Sequence, residues 1–225
     1  ESHFIYERTF VKMIVPFSVS FKDNVSNFAY QKNIFTKEEC EKIIELGESL
    51  KPEESFVGVK SKSKKDSSFR SSRTAWITFN VDTQWIYSRI AENVIKLNDE
   101  HFQFDIRGFG EPIQFTHYEA KKKGQFKSHQ DSVSGIVTRK LSVSIQLSPD
   151  NYKGGELEVM TGSHSKDRFK MTKEQGSIII FPSYMLHQVL PIKKGQRYSL
   201  VSWITLMIVF VIIISTVQRQ SIMKM

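Results

Sequence analysis

A single cysteine, Cys40, stands among 225 residues. That excludes an internal disulfide framework and any cysteine-rich zinc or iron–sulfur site. It is compatible with a reducing compartment, and the expected location is the cytoplasm. An uninterrupted apolar run of the roughly 20 residues that a membrane span needs is also missing. The nearest approach, Ile204–Val217, is broken by Thr205, Ser215 and Thr216 and followed by Arg219 and Lys224. A buried or interfacial terminal segment is the expectation there, with membrane association through residues 204–217 as the alternative. Near the other end, Lys12 and Pro16 interrupt residues 9–20, and no signal-peptide plan is visible. The chain starts at Glu1, which reads as a processed start or a fragment. No internal repeat or long low-complexity linker is found.

What is present describes a globular protein. Apolar residues make up 40% and aromatic residues 12%, with 17 Phe. The length suits one substantial core. The net charge of +8 is concentrated in two places. Lys60, Lys62, Lys64, Lys65, Arg70 and Arg73 stand against Asp66 alone, and Lys121, Lys122, Lys123 and Lys127 follow further on. Such segments read first as solvated loops. Functionally they would attract an acidic protein, a nucleic acid or an anionic cosubstrate.

Thr36-Lys-Glu-Glu39 is a capping-box pattern, and Cys40, Ile43, Ile44 and Leu46 continue it as an apolar stripe, which predicts a helix over 37–50. Ile86, Ile90, Val94 and Leu97 predict a second helix over about 82–99, with a strand at 72–80 before it. From Pro112 onward the pattern changes to short strands with close turn signals, at 112–119, 125–131, 140–148, 155–160, 176–181, 185–190 and 196–204. Gly154 and Gly155 are read as turn residues. The expected fold class is mainly β with supporting helices (α+β), a double-sheet jelly roll with both helices on one outer face.

Chemistry concentrates in Lys127-Ser-His-Gln-Asp131. On an extended segment, side chains two apart share a face, so His129 and Asp131 would be presented together. With His187 they make the 2-His-1-carboxylate set that holds Fe(II) with open coordination positions. If Pro191–Gly195 closes a hairpin, His187 faces Ser199 and Val189 faces Arg197, so that His187, Arg197 and Ser199 share a face. A buried arginine beside a metal is costly unless an anion neutralises it, and its fork suits a carboxylate. A dicarboxylate cosubstrate is the consequence. His117 alternates to the face opposite Tyr118 and is not counted as a ligand; His164 reads as a loop residue, and Trp76 as core or groove wall.

At this point the sequence resembles the 2-oxoglutarate- and Fe(II)-dependent oxygenases, and among them the prolyl 4-hydroxylase-like group. The resemblance runs over residues 28–204, through Phe35-Thr-Lys-Glu-Glu-Cys40, Arg73-Thr-Ala-Trp-Ile77, Gln114-Phe-Thr-His-Tyr118, His129-Gln-Asp131, Tyr152-Lys-Gly-Gly-Glu-Leu157, Phe181-Pro182, His187 and Arg197-Tyr-Ser199. It implies a double-stranded β-helix with Fe(II) held by His129, Asp131 and His187. It further implies 2-oxoglutarate bound through Arg197, Tyr118, Ser199 and Trp203, with dioxygen as second cosubstrate and ascorbate as reductant. The expected domain plan is an N-terminal extension or first strand (1–27), one oxygenase domain (28–204, its core about 107–204) and an apolar, then basic, tail (205–225). The implied reaction hydroxylates a prolyl residue in a protein or peptide and releases succinate and carbon dioxide. The alternatives are the same chemistry on a nucleic acid or small molecule, or a non-catalytic jelly-roll binding protein. The target and the oligomeric state are left open by the sequence.

Overall fold

The capping box at Thr36 forms as the sequence reads. The Glu39 amide donates to Thr36 Oγ1 at 3.2 Å and the Thr36 amide donates to Glu39 Oε2 at 2.8 Å. This satisfies two of the donors that a helix start leaves free. Helix α1 (Lys37–Ser49) follows and buries Cys40, Ile43 and Gly47. Helix α2 (Gln84–His101) starts two residues later than predicted, because the Asn80 side chain accepts from the amides of Asp82 and Thr83 and holds a turn there. Its buried face includes Ile86, Ile90, Val94 and Leu97, as the periodicity predicts. The computed structural model describes residues 25–55, 68–132, 139–162, 164 and 167–206. Most of the N-terminal extension, the basic stretch up to residue 67 and the tail from residue 207 lie outside the described residues. Among the described residues no helix is long and apolar enough to cross a membrane.

Among the described residues fifteen strands accompany the helices. An eight-stranded sheet contains β1 (Ala29–Gln31), β2 (Glu53–Glu54), β4 (Arg73–Ile77), β5 (Ile106–Phe109), β6 (Ile113–Glu119), β8 (Arg139–Gln146), β12 (Ile178–Pro182) and β15 (Gln196–Leu206). Its order is β1-β12-β8-β15-β6-β4-β2, with β5 also pairing β15. A five-stranded sheet contains β3 (Arg70–Ser71), β7 (Gln125–His129), β10 (Leu157–Met160), β11 (Arg168–Lys170) and β13 (Leu186–Val189) in the order β11-β10-β13-β7-β3. The short strands β9 (Lys153–Gly154) and β14 (Ile192–Lys194) pair with each other. The described residues are mostly β with two α-helices, and the antiparallel sheets facing one another form a double-stranded β-helix.

Alternation along the central strands of the large sheet separates two environments. Leu141, Val143 and Ile145 of β8, Leu200 and Ile204 of β15, and Ile113 and Phe115 of β6 join the helices in one apolar core. The intervening residues Ser142, Ser144, Gln146, Arg197, Ser199, Gln114 and Thr116 are buried as well, but polar. They occupy the face away from the helical core. A second apolar cluster, including Tyr118, Tyr152, Val159, Ile179 and Phe181, brings the two sheets together.

One expectation is overturned. His187 and Arg197 do not lie on a shared hairpin face. β13 pairs β10 and β7, whereas β15 pairs β5, β6 and β8, so the two residues belong to different sheets. The cause is β14, which pairs β9 and takes the chain from one sheet to the other between residues 189 and 196. Gly154 and Gly155, on and beside β9, have φ of +78° and +69°, and a side chain on Gly154 would collide with the Pro191 carbonyl.

Gly47 is set against the ring of Phe115, where an added Cβ would come within 2.4 Å of ring carbons that are fully buried. Helix propensity alone would favour Gly47→Ala by about 1 kcal/mol. The close approach reverses that sign, and thermal denaturation should show the variant melting below the wild type.

Candidate active site

β7 carries a bulge where the site is built. His187 pairs His129 and Val189 pairs Phe126, so three steps on β7 oppose two on β13. The extra residue breaks the simple alternation. It lets Phe126 and His129 meet, their rings stacking at 3.6 Å. The strand ends at His129, two residues sooner than predicted, so Asp131 reaches the site from a bend rather than from an extended strand. That bend is pinned to the large sheet's side: the amides of Asp131 and Ser132 both donate to the Ser183 carbonyl at 3.0 Å.

His129, Asp131 and His187 offer ligand atoms that all lie within 4.8 Å of one another. His129 Nε2 is 3.7 Å from Asp131 Oδ1, and His187 Nε2 is 3.4 Å from Asp131 Oδ2. The other nitrogen of each ring is committed. Nδ1–H of His129 donates to the Lys127 carbonyl at 2.7 Å, and Nδ1–H of His187 donates to the Met185 carbonyl at 3.0 Å. These bonds fix the tautomer that leaves both Nε2 lone pairs directed at the carboxylate. Ser142 Oγ donates to Asp131 Oδ2 at 2.7 Å and orients it.

Charge at the cluster suits a cation. Burial, assisted by the neighbouring His187, pushes His129 down to about 4, so its ring is neutral and able to ligate at pH 7. Burial opposes the charge on Asp131, but the adjoining imidazoles of His187 and His129 and the Ser142 hydroxyl outweigh it and hold the carboxyl well below its ordinary range. Two imidazoles and one carboxylate are a donor set that fits Fe(II), and nitrogen and oxygen donors also accept other divalent ions.

Across the cleft, Arg197 is 2% exposed. Its Nε donates to Gln146 Oε1 at 3.1 Å and its Nη1 to Ser199 Oγ at 3.3 Å, both neutral partners. Tyr118 is its register partner on β6, with the guanidinium 5.5 Å from the ring centre. Tyr152 presents a buried hydroxyl with no hydrogen-bond partner among the described residues. Burial raises its pKa, and the nearby Arg197 pulls the other way. A buried guanidinium without a carboxylate, next to an orphaned phenol, is a cradle that an anionic ligand would complete.

Trp203 lies further along β15, opposite Ser142 in register and 6.3 Å from the half-exposed Trp76. Arg139 lies 3.8 Å over its ring and bonds Glu111 at 2.6 Å. His117 is on the other face of β6, among Glu48, Arg73 and Gln196, as alternation predicts. Gln146, Ser142, Tyr152, Arg139 and Arg70 were missed by sequence reasoning. A signal existed for two of them: Leu141-Ser-Val-Ser-Ile-Gln146 alternates strictly, and its polar members must face something polar if both sides are buried.

A two-sheet β-helix with a His-x-Asp…His cluster and a buried arginine on a strand of the other sheet is the arrangement that the sequence's resemblance to the 2OG-Fe(II) oxygenases implies. Residues 113–205 match the family model of the 2OG-Fe(II) oxygenase superfamily. Over that stretch the chain is similar to this superfamily, and its fold is like that of the prolyl 4-hydroxylases. Among curated proteins it is similar to a PKHD-type hydroxylase of Teredinibacter turnerae, 31% identical over 104 residues, 43% of this chain and 44% of that protein. A PKHD-type hydroxylase of Prochlorococcus marinus is 46% identical over 65 residues, 28% of each chain. The chain therefore spans less than half the length of the curated relatives it matches. Among solved structures, a Pseudomonas putida prolyl-4-hydroxylase aligns with a TM-score of 0.60 at 14% identity, over 80% of this chain and 92% of the other. A Trichoplax adhaerens prolyl hydroxylase in complex with a hypoxia inducible factor peptide fragment aligns with a TM-score of 0.63 at 17% identity, over 80% and 83%. These two likenesses are of fold.

Removing the hydroxyl that orients Asp131 should weaken a metal bound at the cluster. Ser142→Ala is expected to lower divalent-metal affinity about 10-fold or more, the usual range for such outer partners. Calorimetric titration with Zn(II) or Mn(II) measures it, with circular dichroism to verify that the variant folds.

Proposed function

We propose that this chain is an Fe(II)- and 2-oxoglutarate-dependent dioxygenase that hydroxylates a prolyl residue in a protein or peptide. The observation that carries the reading is the buried Arg197, bonded only to neutral groups, across the cleft from the three converging ligands His129, Asp131 and His187. In this reading those three hold the metal on one side and leave its remaining positions open to the cleft. Arg197 receives the distal carboxylate of 2-oxoglutarate through its two-pronged fork, which also sets the direction in which the cosubstrate lies. Tyr118 and Tyr152 line that pocket with phenol donors, and Ser199 and Gln146 hold the guanidinium in place.

Bound Fe(II), with 2-oxoglutarate and dioxygen, supplies the oxidising power that converts a substrate C–H to C–OH with release of succinate and carbon dioxide. The chain contributes orientation and dryness. The apolar cluster around Val159, Ile179 and Phe181 closes the space between the sheets on one side. Trp76, 45% exposed beside Trp203, is placed to form a wall for the substrate. Support for a prolyl substrate comes from the fold likeness to prolyl hydroxylases, one of them a peptide complex, and from the hydroxylase names of the relatives.

Asp131→Ala is expected to abolish metal-dependent succinate release in assays with Fe(II), 2-oxoglutarate and ascorbate. Arg197→Ala should raise the apparent KM for 2-oxoglutarate about 100-fold, the scale of a lost charge-assisted pair. An unchanged KM would remove Arg197 from this role. Mass spectrometry of a peptide pool should find a product heavier by about 16 Da, one oxygen atom, and loss of the product with Asp131→Ala would tie it to the site.

A further inference from the structure

Arg70 is a second guanidinium taken into the same cleft. β3 pairs β7 with Arg70 opposite Phe126, which brings the arginine to the strand that ends at His129. From the small sheet its side chain reaches the large one. Nη2 donates to Gln114 Oε1 at 2.8 Å, and Nε donates to Ser72 Oγ at 2.9 Å. Its guanidinium carbon is 4.5 Å from the centre of the Phe126 ring, which in turn stacks on His129. Burial disfavours its charge, and the groups that offset this are Tyr118 and Asp131, one from the proposed cosubstrate pocket and one from the metal cluster. Among the described residues, both hydrogen-bond partners of Arg70 are neutral.

A charge ledger of the cleft singles it out. Arg139 is answered by Glu111 at 2.6 Å. Asp131 and the near carboxylate of 2-oxoglutarate answer a divalent metal, and the distal carboxylate answers Arg197. Among the described residues no carboxylate is left for Arg70. Arg70 is half-buried; a guanidinium partly withdrawn from water without an anion is disfavoured, and a carboxylate gives it charge-assisted bonds that neutral acceptors do not.

We propose that Arg70 is a specificity-determining residue that binds a carboxylate of the substrate beside the metal cluster. The inference rests on the oxygenase reading of the site. The carboxylate comes either from an acidic side chain of a peptide or from the α-carboxylate of a free amino acid; the chemistry at Arg70 is the same.

Binding to the protein loaded with Mn(II) and 2-oxoglutarate under anaerobic conditions tests it without turnover. One arm compares a peptide pool rich in Asp and Glu around proline with the matched Asn and Gln pool. The other compares free proline and a pool of free amino acids with their amides. The wild type should favour the carboxylate member of at least one arm about 10-fold or more, the scale of a charge-assisted pair. Arg70→Gln should bring that ratio to about one. The arm that shows the preference identifies the source of the carboxylate. A merely structural Arg70, clamping Gln114 and Phe126, would weaken both members alike in the variant and leave the ratio as in the wild type, which would overturn the proposal. Equal retention of both members by the wild type, or retention of neither, in both arms would also overturn it. Failure of the oxygenase reading shows separately, as absence of Mn(II)-dependent 2-oxoglutarate binding before any substrate is added.

Discussion

A buried positive charge with no negative partner among the described residues is the constraint on which the rest of this structure turns. Arg197 is held between two sheets by Gln146 and Ser199, neither of which carries charge. Taking an ion out of water costs several kcal/mol even after relaxation. The large sheet accommodates that cost by giving one face of its central strands largely to polar residues, from Gln114 and Thr116 through Ser199 to Gln146, Ser144 and Ser142. The opposite face and the two helices supply the apolar burial. Stability and chemistry are thus divided between the sides of a single sheet, and the period of two along β6, β8 and β15 keeps them apart.

The three residues of the His–Asp–His cluster depend on the small sheet in another way. A regular strand would have sent Phe126 and His129 to opposite faces; the bulge brings them together. The same irregularity places the Lys127 carbonyl where it accepts from His129 Nδ1–H. Asp131 is then carried past the strand end and tied to Ser183 and Ser142, which belong to the large sheet or follow it directly. The cluster is therefore preorganised by groups from both sheets, and a shift of one sheet against the other would disperse it.

Much of this was legible in the chain. Thr36 and Glu39 announced α1, the apolar spacing announced α2, and the eight strands expected lie within two or three residues of observed ones, whereas the short strands β1, β2, β3, β5, β9, β11 and β14 were not foreseen. His129, Asp131, His187 and Arg197 could be read as chemically related because an imidazole–carboxylate pair and a buried arginine have few inexpensive explanations. How they meet was not legible. The shared hairpin face expected for His187 and Arg197 is absent, because the β9–β14 pair moves the chain between sheets, and pairing between residues some 40 apart leaves no local periodicity. Arg70 lay hidden within a basic stretch that reads as a solvated loop, and only its pairing with β7 takes it into the cleft.

The most direct measurement is a calorimetric titration of 2-oxoglutarate, and of a 2-oxo monocarboxylate lacking the distal acid, into the protein with and without bound Mn(II). The account requires 2-oxoglutarate to bind the metal-loaded protein much more tightly than the metal-free protein, and the monocarboxylate to bind about 100-fold more weakly because Arg197 is then left unanswered. Equal affinity for the two acids, or binding indifferent to the metal, would contradict it.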